Sequence, residues 1–282
     1  MTAESVSEDP LRAWMEVSRL NWDDRTAVHL RNRTGFYPID RVRAGDDAFG
    51  EPEDSELGDV VGKRLIHLHC HFGLDSIRLA RRGAIVTGLD FSTAAIAAAR
   101  ALAVELAVPA RFVEGNVYDA PALLNAQYEI AFVTWGSIIW LPDIRLWARI
   151  VAELLAPGGW LYLAEGHPST SSLDEVDRLV AVQPWRTPTN APFVYDNATT
   201  YTGDSTPLAH TRNYEWSHPL SGIIGGLLEA GLHLDFLHEH ERLPWRYFPM
   251  MEEAEDWGYK LPDGHPPLPL SFSLQASKRA IY

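Results

Sequence analysis

Cysteine is nearly absent from this 282-residue sequence, which contains a single one, Cys70. One cysteine permits no disulfide within the chain and no zinc site built from cysteines alone. The sequence also lacks any run approaching about 18 uninterrupted apolar residues, the length that a membrane-spanning helix needs. These absences argue against disulfide-stapled and membrane-spanning proteins, and they favour a cytoplasmic protein without a membrane partner.

The first ten residues lack the features of a secretory signal. They carry Glu4, Glu8 and Asp9, and they contain neither a basic segment nor an apolar one. Export signals need both of these segments. We therefore expect no secretory signal in this stretch.

Basic residues are scarce in this chain. The 24 Lys and Arg residues stand against 38 Asp and Glu residues, which gives a formal net charge of −14. Binding to nucleic acid or to anionic lipid needs clustered positive charge, so neither partner is expected. The hydrophobic share of 46% is sufficient for a buried core.

Short apolar runs alternate with helix-like stretches over residues 60–166. The pattern predicts strands at 65–68, 84–89, 111–113, 130–134 and 160–164. Helices are predicted at 75–82, at 93–106 after the capping residue Ser92, and from Pro142 onward. A helix at 221–231 and strands at 232–241 and 268–276 follow later. This alternation predicts a parallel sheet with helices on both faces.

Three regions interrupt the alternation. Residues 1–59 predict an N-terminal helical cap or lid followed by an acidic linker, and the remaining residues 60–282 predict one domain. The stretch 46–59 contains seven acidic residues and no basic one, which favours a solvated connection. Residues 166–218 and 242–267 predict two irregular insertions, and loops this long in a compact domain are usually functional.

The predicted strand ends carry the residues that matter for binding, because open parallel sheets bind ligands beyond their carboxyl ends. The first strand leads into a turn ending at Gly73 that lacks the G-x-G-x-x-G fingerprint, and Asp75 follows at a helix start, where it would repel a pyrophosphate. This disfavours NAD and FAD and favours a cationic ligand. Asp90 fits either a ribose-binding carboxylate or a polar strand end. Asn116 fits an adenine contact or an ordinary turn.

Four segments in this order resemble the class I S-adenosylmethionine-dependent methyltransferases: Gly73, residues 85–92 (IVTGLDFS), residues 113–119 (VEGNVYD) and residues 155–159 (LAPGG). The resemblance implies an α/β fold with a doubly wound, mostly parallel, seven-stranded Rossmann-like sheet. It also implies S-adenosyl-L-methionine as methyl donor and S-adenosyl-L-homocysteine as product. One departure concerns the first strand, where the family's acidic residue and first glycines are replaced by His67, His69 and His71.

The resemblance places ten residues around the cofactor. Asp90 would hold the ribose, and Phe91 would flank the adenine. Trp22 and Tyr37 would belong to a lid formed by the N-terminal segment. The full set is Trp22, Tyr37, His69, His71, Gly73, Asp90, Phe91, Asn116, Val117 and Thr134.

Methyl transfer requires an aligned acceptor that has lost its proton. His167, just past the fifth strand, has a suitable ordinary pKa for a base, although a structural role fits it equally well. Glu165 is two residues before His167, so in an extended chain both side chains would point to the same side. We expect a small, aromatic or heterocyclic metabolite to be methylated at N, O or C, without a metal, by a monomer or homodimer. The predicted acceptor-binding residues are Trp135, Trp216, Trp245, Arg246 and Tyr247.

Two alternatives stay open at this point. The alternating His67, His69 and His71, together with His238 and His240, fit a metal site as well as core histidines. The altered glycine loop also fits a catalytically silent protein of the same fold that uses its insertions to bind a partner.

Overall fold

A seven-stranded sheet forms the centre of the molecule. The computed structural model describes residues 10–175 and 178–280, so the expectation about a secretory signal in the first ten residues falls, apart from Pro10, outside them. We number the strands of the central sheet in chain order as β1 (Arg64–Leu68), β2 (Ile85–Asp90), β3 (Arg111–Glu114), β4 (Tyr128–Thr134), β5 (Leu155–Gly166), β6 (Leu232–His240) and β7 (Ser271–Lys278).

The strand order in space is β3-β2-β1-β4-β5-β7-β6. Strands β1 to β5 pair in parallel with their neighbours, whereas β7 runs antiparallel to both β5 and β6. The predicted doubly wound, mostly parallel α/β sheet is therefore confirmed. Chain order reverses between β1 and β4, so ligand binding is expected at the carboxyl ends of these two strands.

Nine α-helices surround the sheet in the described part of the chain. They are α1 (Pro10–Arg31), α2 (Ile39–Arg43), α3 (Glu53–Glu56), α4 (Leu74–Arg81), α5 (Thr93–Glu105), α6 (Ala120–Leu124), α7 (Ile144–Leu154), α8 (Pro168–Ser171) and α9 (Leu220–Glu229). Ser92 caps α5 as predicted, since its Oγ accepts the Ala95 N–H at 3.1 Å. The start predicted at Pro142 is wrong by two residues, because the Asp143 carboxylate caps α7.

Both faces of the sheet are covered by apolar side chains. Trp147 and Val151 of α7 are fully buried on one face, and Leu79 of α4 packs with Ile130 and Phe132 on the other. Parallel strands that are buried on both faces read as continuous apolar runs. This explains why the sequence revealed the strands well. None of the described helices is both long enough and apolar enough to span a membrane.

The long helix α1 buries a stripe of polar side chains. Ser18, Asn21, Arg25 and His29 recur at helical spacing, and all four are buried. They face the strand-end loops and the first insertion, where Tyr214 donates its N–H to Ser18 Oγ at 3.2 Å. A polar buried face explains the sparse apolar pattern of this segment.

The two insertions contain paired strands, so the expectation of irregular structure is wrong in part. The first holds hairpins of Leu173–Glu175 with Leu179–Ala181 and of Phe193–Asp196 with Arg212–Glu215. The second holds the short pair Glu252–Glu253 and Tyr259–Lys260. Strands of two to four residues are too short to show alternation in the sequence.

The acidic linker is not solvated throughout, contrary to the sequence prediction. Its short helix α3 buries Glu53, which is 5% exposed, and the following Leu57 and Val60 enter the core. Trp135 donates its indole N–H to the Glu53 carboxylate. Leu57 and Val60 thus hold the acidic segment against one face of the sheet.

Candidate active site

A cavity of about 690 Å³, here called the crevice, lies at the carboxyl ends of β1, β2 and β4. This volume is within the range of about 300–1,000 Å³ that is typical of small-molecule sites. Every residue predicted to surround the cofactor lines it: Trp22, Tyr37, His69, His71, Gly73, Asp90, Phe91, Asn116, Val117 and Thr134. The fold therefore brings together segments that are far apart in the sequence.

The turn after β1 has an unusual backbone. His69 and His71 both have positive φ values, of 58° and 49°, and Gly73 has a φ of 81°. A Cβ on Gly73 would lie 2.8 Å from the Phe112 ring and 2.9 Å from Ala99 Cβ. The surviving glycine of the motif is therefore required for close packing of α4 against α5 and β3.

Asp90 ends β2 with its carboxylate at the crevice wall, and the residue is 8% exposed. One oxygen accepts the His71 N–H at 2.8 Å, and the other accepts the Ser92 N–H at 2.9 Å. Each oxygen keeps a lone pair for a further donor. Burial raises the pKa of Asp90 to about 6, against the opposing effect of its backbone donors.

Asn116 has a local structural task and also lines the crevice. Its Oδ1 accepts the Tyr118 N–H at 3.0 Å and caps the short 3-10 helix Val117–Asp119. Its Nδ2 lies 3.4 Å from the sulfur of Met15 in α1. The turn interpretation of Asn116 thus has direct structural support.

An aromatic cluster of Trp22, Tyr37, His71, Trp140 and Tyr201 closes one side of the crevice. Trp22 lies edge-on to His71 at 5.1 Å and to Trp140 at 5.2 Å between ring centroids. The hydroxyl groups of Tyr37 and Tyr201 form a short hydrogen bond. Because Tyr201 belongs to the first insertion, the lid combines the N-terminal helix, the segment after it and that insertion.

The side chains of His29 and Arg25 pack against the aromatic cluster. His29 Nε2 lies 2.6 Å from Thr200 Oγ1, and burial lowers the pKa of His29 to about 3, so its imidazole is neutral. The Arg25 guanidinium lies 5.6 Å from the ring centroids of both Trp22 and Trp140. Burial lowers the pKa of Arg25 as well.

The crevice also has charged side chains near β1 and β4. Burial raises the pKa of Glu53 to about 8 and raises the pKa of Asp75, which pairs with Arg78 at 3.3 Å. Glu53 and Arg78 were not predicted from the sequence. No signal identified Glu53, because it lies within a run of acidic residues that reads as a solvent-exposed linker.

A second cavity of about 540 Å³ lies beside the crevice, above β5 and below the two insertions. Gly136 and Trp245 line both cavities. The residues predicted to bind the acceptor are divided between them. Trp135 and Arg246 line the crevice, Trp216 and Tyr247 line the second cavity, and Trp245 lies between.

Glu165 is placed against its predicted role. Its carboxylate accepts four backbone N–H groups, from Gly136, Ser137 (2.7 Å), Ile138 (3.2 Å) and Gly166 (2.9 Å). A carboxylate offers about four lone-pair sites, so none is left to take a proton from an acceptor. Glu165 therefore holds the loop after β4, and the prediction of a catalytic role for it is corrected.

His167 lines the second cavity, and only 12% of its side chain is exposed. Its Nδ1 lies 2.6 Å from Ser169 Oγ, and its Nε2 lies 3.2 Å from a carboxylate oxygen of Glu239. Burial lowers the pKa of His167, and the neighbouring Glu239 opposes that shift. The ring is thus oriented from both sides.

Glu215 is a second ionisable group of this cavity that the sequence analysis missed. It is the last residue of the hairpin strand Arg212–Glu215 and lines the second cavity, and its Oε1 accepts the Asn213 side-chain N–H at 3.1 Å. Burial raises the pKa of Glu215 to about 7. The carboxyl group therefore exchanges a proton near neutral pH.

The histidines of β1 do not converge on a metal site. His67 is buried, and its Nδ1 lies 2.9 Å from Ser76 Oγ, as expected for a core histidine. His238 pairs with Glu56, and His240 lies 2.9 Å from Ser273 Oγ. Across residues 10–175 and 178–280, no group of three His, Cys, Asp or Glu side chains is arranged to hold a metal ion.

Comparison with known proteins adds independent information. A family profile described as a methyltransferase domain matches residues 66–159. Ubiquinone biosynthesis O-methyltransferases of Photorhabdus laumondii and Cronobacter sakazakii are each 32% identical to this chain over 108 residues, which is 38% of this chain and 44% of the relative. The chain thus matches less than half the length of these curated relatives.

Solved structures share the fold over most of the chain. A S-adenosylmethionine-dependent methyltransferase from Mesorhizobium loti superposes with a TM-score of 0.56 at 16% identity, covering 83% of this chain and 99% of that one. A putative enzyme of the same kind from Listeria monocytogenes has a TM-score of 0.55 at 16% identity, covering 80% and 95%. Residues 66–159 therefore match a methyltransferase domain, and the chain shares its fold with S-adenosylmethionine-dependent methyltransferases.

Proposed function

We propose that this chain transfers a methyl group from S-adenosylmethionine to N, O or C of a small aromatic or heterocyclic metabolite. One observation carries the proposal. A nucleoside-sized crevice with a buried carboxylate at the tip of β2 adjoins, at Gly136, a second cavity lined by aromatic side chains. Two adjoining cavities suit a reaction between two small molecules.

The residues of the crevice fit an adenosyl cofactor. Both oxygens of Asp90 keep a lone pair for the ribose hydroxyls, and Phe91 and Val117 line the adjacent wall. His69 Nε2 is buried without a hydrogen-bond partner among the described residues, which indicates that a ligand atom belongs beside it. The carboxylate of Asp75 at the start of α4, which pairs with Arg78 at 3.3 Å, also suits a positively charged ligand.

The second cavity fits a flat acceptor. Its aromatic lining residues are Phe193, Tyr195, Trp216, Trp245, Tyr247 and Phe248. Such side chains hold rings by stacked and edge contacts worth about 0.5–1.5 kcal/mol each beyond simple burial. The relatives are named for O-methylation, which favours oxygen among the three acceptor atoms.

Bound S-adenosylmethionine supplies a methyl group that is already activated by its positive sulfur. The protein therefore has to position the cofactor and the acceptor, exclude water from them and remove a proton from the acceptor. Asp90 and the turn after β1 position the nucleoside, and the aromatic cluster excludes water from the crevice. Alignment of this kind contributes roughly 7–11 kcal/mol to a displacement.

An acceptor O–H or N–H must lose its proton to a group in the second cavity. His167 and Glu215 both line this cavity, with Nε2 of His167 lying 3.2 Å from Glu239 and Oε1 of Glu215 accepting the Asn213 side-chain N–H. We propose that one of them takes the proton, and the pH dependence of the rate distinguishes the two residues. Glu165 has no lone pair left for this task.

The acceptor is proposed to be a free metabolite, not a nucleic acid. The net charge of −14 supports this, because a nucleic-acid groove needs clustered basic residues. The oligomeric form is proposed to be a monomer or a homodimer.

Titration calorimetry with S-adenosylmethionine and S-adenosylhomocysteine tests the cofactor half of the proposal. Transfer of an isotope-labelled methyl group to a panel of phenols, aromatic amines and N-heterocycles, followed by mass spectrometry, tests the acceptor half. Absence of binding to both nucleosides overturns the proposal. Binding without transfer to any member of the panel supports the catalytically silent alternative.

A further inference from the structure

Four ionisable side chains meet in the crevice where β1 and β4 end. Glu53, His69, Asp75 and Arg78 come from α3, from the turn after β1 and from α4, and all four line the crevice. Glu53 and Arg78 are each 5% exposed. So dense a set of ionisable groups is costly to bury in charged form unless each group finds a partner.

Two side-chain nitrogen atoms in this set have no hydrogen-bond partner in the described part of the chain. They are Nε of Arg78 and Nε2 of His69, and both atoms are buried. The remaining contacts are few: Arg78 Nη1 reaches Asp75 at 3.3 Å, and Glu53 accepts the indole N–H of Trp135. Orphaned nitrogen atoms beside buried carboxylates point to a ligand that carries both charges.

The position of the set along the sheet edge agrees with one end of an adenosyl cofactor. Asn116 lies just after β3, and Asp90 is the last residue of β2. The next two strands in the sheet are β1 and β4. A nucleoside held by Asp90, with its base towards Asn116, therefore extends its other end over β1 and β4. That is where Glu53, Asp75 and Arg78 lie.

The first strand cannot supply an acidic group itself. His67 stands where the resemblance to the methyltransferases leads us to expect an acid, and its Nδ1 lies 2.9 Å from Ser76 Oγ. Glu53 brings a carboxylate to the same end of the sheet from outside the strand, through the hydrogen bond from Trp135 next to β4. The acidic linker thus compensates for a change in β1.

We propose that Glu53, Asp75, Arg78 and His69 bind the α-amino acid end of the cofactor. Glu53 and Asp75 accept hydrogen bonds from its ammonium group. Nε of Arg78, and Nε2 of His69 in the tautomer that is protonated there, donate to its carboxylate. This assignment rests on the proposed function and makes α3 part of the cofactor site.

Titration calorimetry on the full chain with three nucleosides tests the assignment. S-adenosylhomocysteine has both charged groups, its decarboxylated analogue has the ammonium only, and 5′-methylthioadenosine has neither. The variants are Glu53→Gln, which keeps an acceptor for Trp135, and Arg78→Lys, which keeps a cation beside Asp75. Glu51→Gln is the matched control, since Glu51 is an exposed acid of the same segment.

Glu53→Gln should lower the affinity for S-adenosylhomocysteine and for the decarboxylated analogue by about tenfold to a hundredfold, and leave 5′-methylthioadenosine unchanged. Arg78→Lys should weaken S-adenosylhomocysteine alone. The control should bind all three like the unmodified protein. Retained binding of 5′-methylthioadenosine shows that each variant is folded.

Equal losses for all three nucleosides, or no loss for any, overturn the assignment while the proposed function stands. Failure of the unmodified protein to bind any of the three overturns the proposed function, and this inference with it. The two failures are therefore distinguishable in one set of titrations.

Discussion

Asp90 shows how a single residue combines a structural and a binding task. Its carboxylate receives N–H groups from His71 and Ser92 and so ties the turn after β1 to the start of α5. The same two oxygens face the crevice with lone pairs to spare. The fold thus positions this carboxylate before a ligand binds, which reduces the loss of conformational entropy on binding.

Asp90→Ala should weaken the binding of S-adenosylhomocysteine by at least about tenfold, because two hydrogen bonds to a charged group are lost. Titration calorimetry measures this, with thermal unfolding to verify that the loop retains its fold. The affinity of the Asp90→Asn variant should lie between those of the unmodified protein and the alanine variant, since the amide keeps one acceptor oxygen. Unchanged affinity in the alanine variant would remove the ribose assignment.

The affinity for S-adenosylhomocysteine should rise from about pH 5 to about pH 7. Burial raises the pKa of Asp90 to about 6, so the carboxyl group is protonated below that value and accepts hydrogen bonds less well. Calorimetry across this range gives the profile. The Asp90→Asn variant should lose the rise, and a profile identical to that of the unmodified protein would contradict the prediction.

At the scale of elements, the turn from β1 into α4 depends on how closely its neighbours approach. Gly73 starts α4 in a left-handed conformation, and the Phe112 ring of β3 occupies the space where a side chain would be. His69 and His71 replace the family's other glycines, yet both adopt positive φ values. The turn thus keeps its shape with only one glycine.

Gly73→Ala should lower the free energy of unfolding by roughly 2–4 kcal/mol, from a left-handed backbone and from overpacking against Phe112 and Ala99. Gly158→Ala is a matched control, because Gly158 has the same φ of 81° and no atom within 4 Å of the added Cβ. It should lose only about 1–2 kcal/mol. Urea denaturation measures both, and equal losses would exclude crowding as the cause.

The molecule as a whole assembles its two cavities from distant parts of the chain. The crevice takes residues from the N-terminal helix, the strand ends and both insertions, and the second cavity lies between β5 and the insertions. The predicted acceptor residues Trp216 and Tyr247 lie in the second cavity, and Trp135 and Arg246 in the first. Gly136, with a φ of 72° and open space around it, lies at the junction.

Glu215 and His167 are distinguished by the pH dependence of the reaction. A base must be deprotonated, so if Glu215 is the base, the initial rate rises with pH through about 7, the value to which burial raises its pKa. Glu215→Gln should then remove this rise and lower the rate by about a hundredfold.

His167→Ala serves as the comparison, because it changes the other wall of the same cavity. If only this variant loses turnover while its affinity for S-adenosylhomocysteine is kept, then the base is His167. If neither variant loses turnover, the acceptor needs no protein base.

Much of the site was predictable because its residues follow buried strands. Asp90, Asn116 and Thr134 come directly after apolar runs, and parallel strands bring their carboxyl ends to one edge. Glu53 and Glu215 were not predictable. Each lies in a polar stretch, and only contacts with residues more than eighty positions away, such as that of Glu53 with Trp135, bring such a carboxylate into a cavity.

The α/β sheet and the order of its motifs were predictable from the sequence, because strands buried on both faces of a parallel sheet are continuous apolar runs. The resemblance to the methyltransferases added the ten cofactor residues of the crevice. The tertiary structure alone decided that Glu165 holds a loop, that the acidic linker enters the crevice and that the insertions enclose a second cavity. These outcomes depend on long-range contacts between short polar segments, and such contacts leave no periodic signal in the chain.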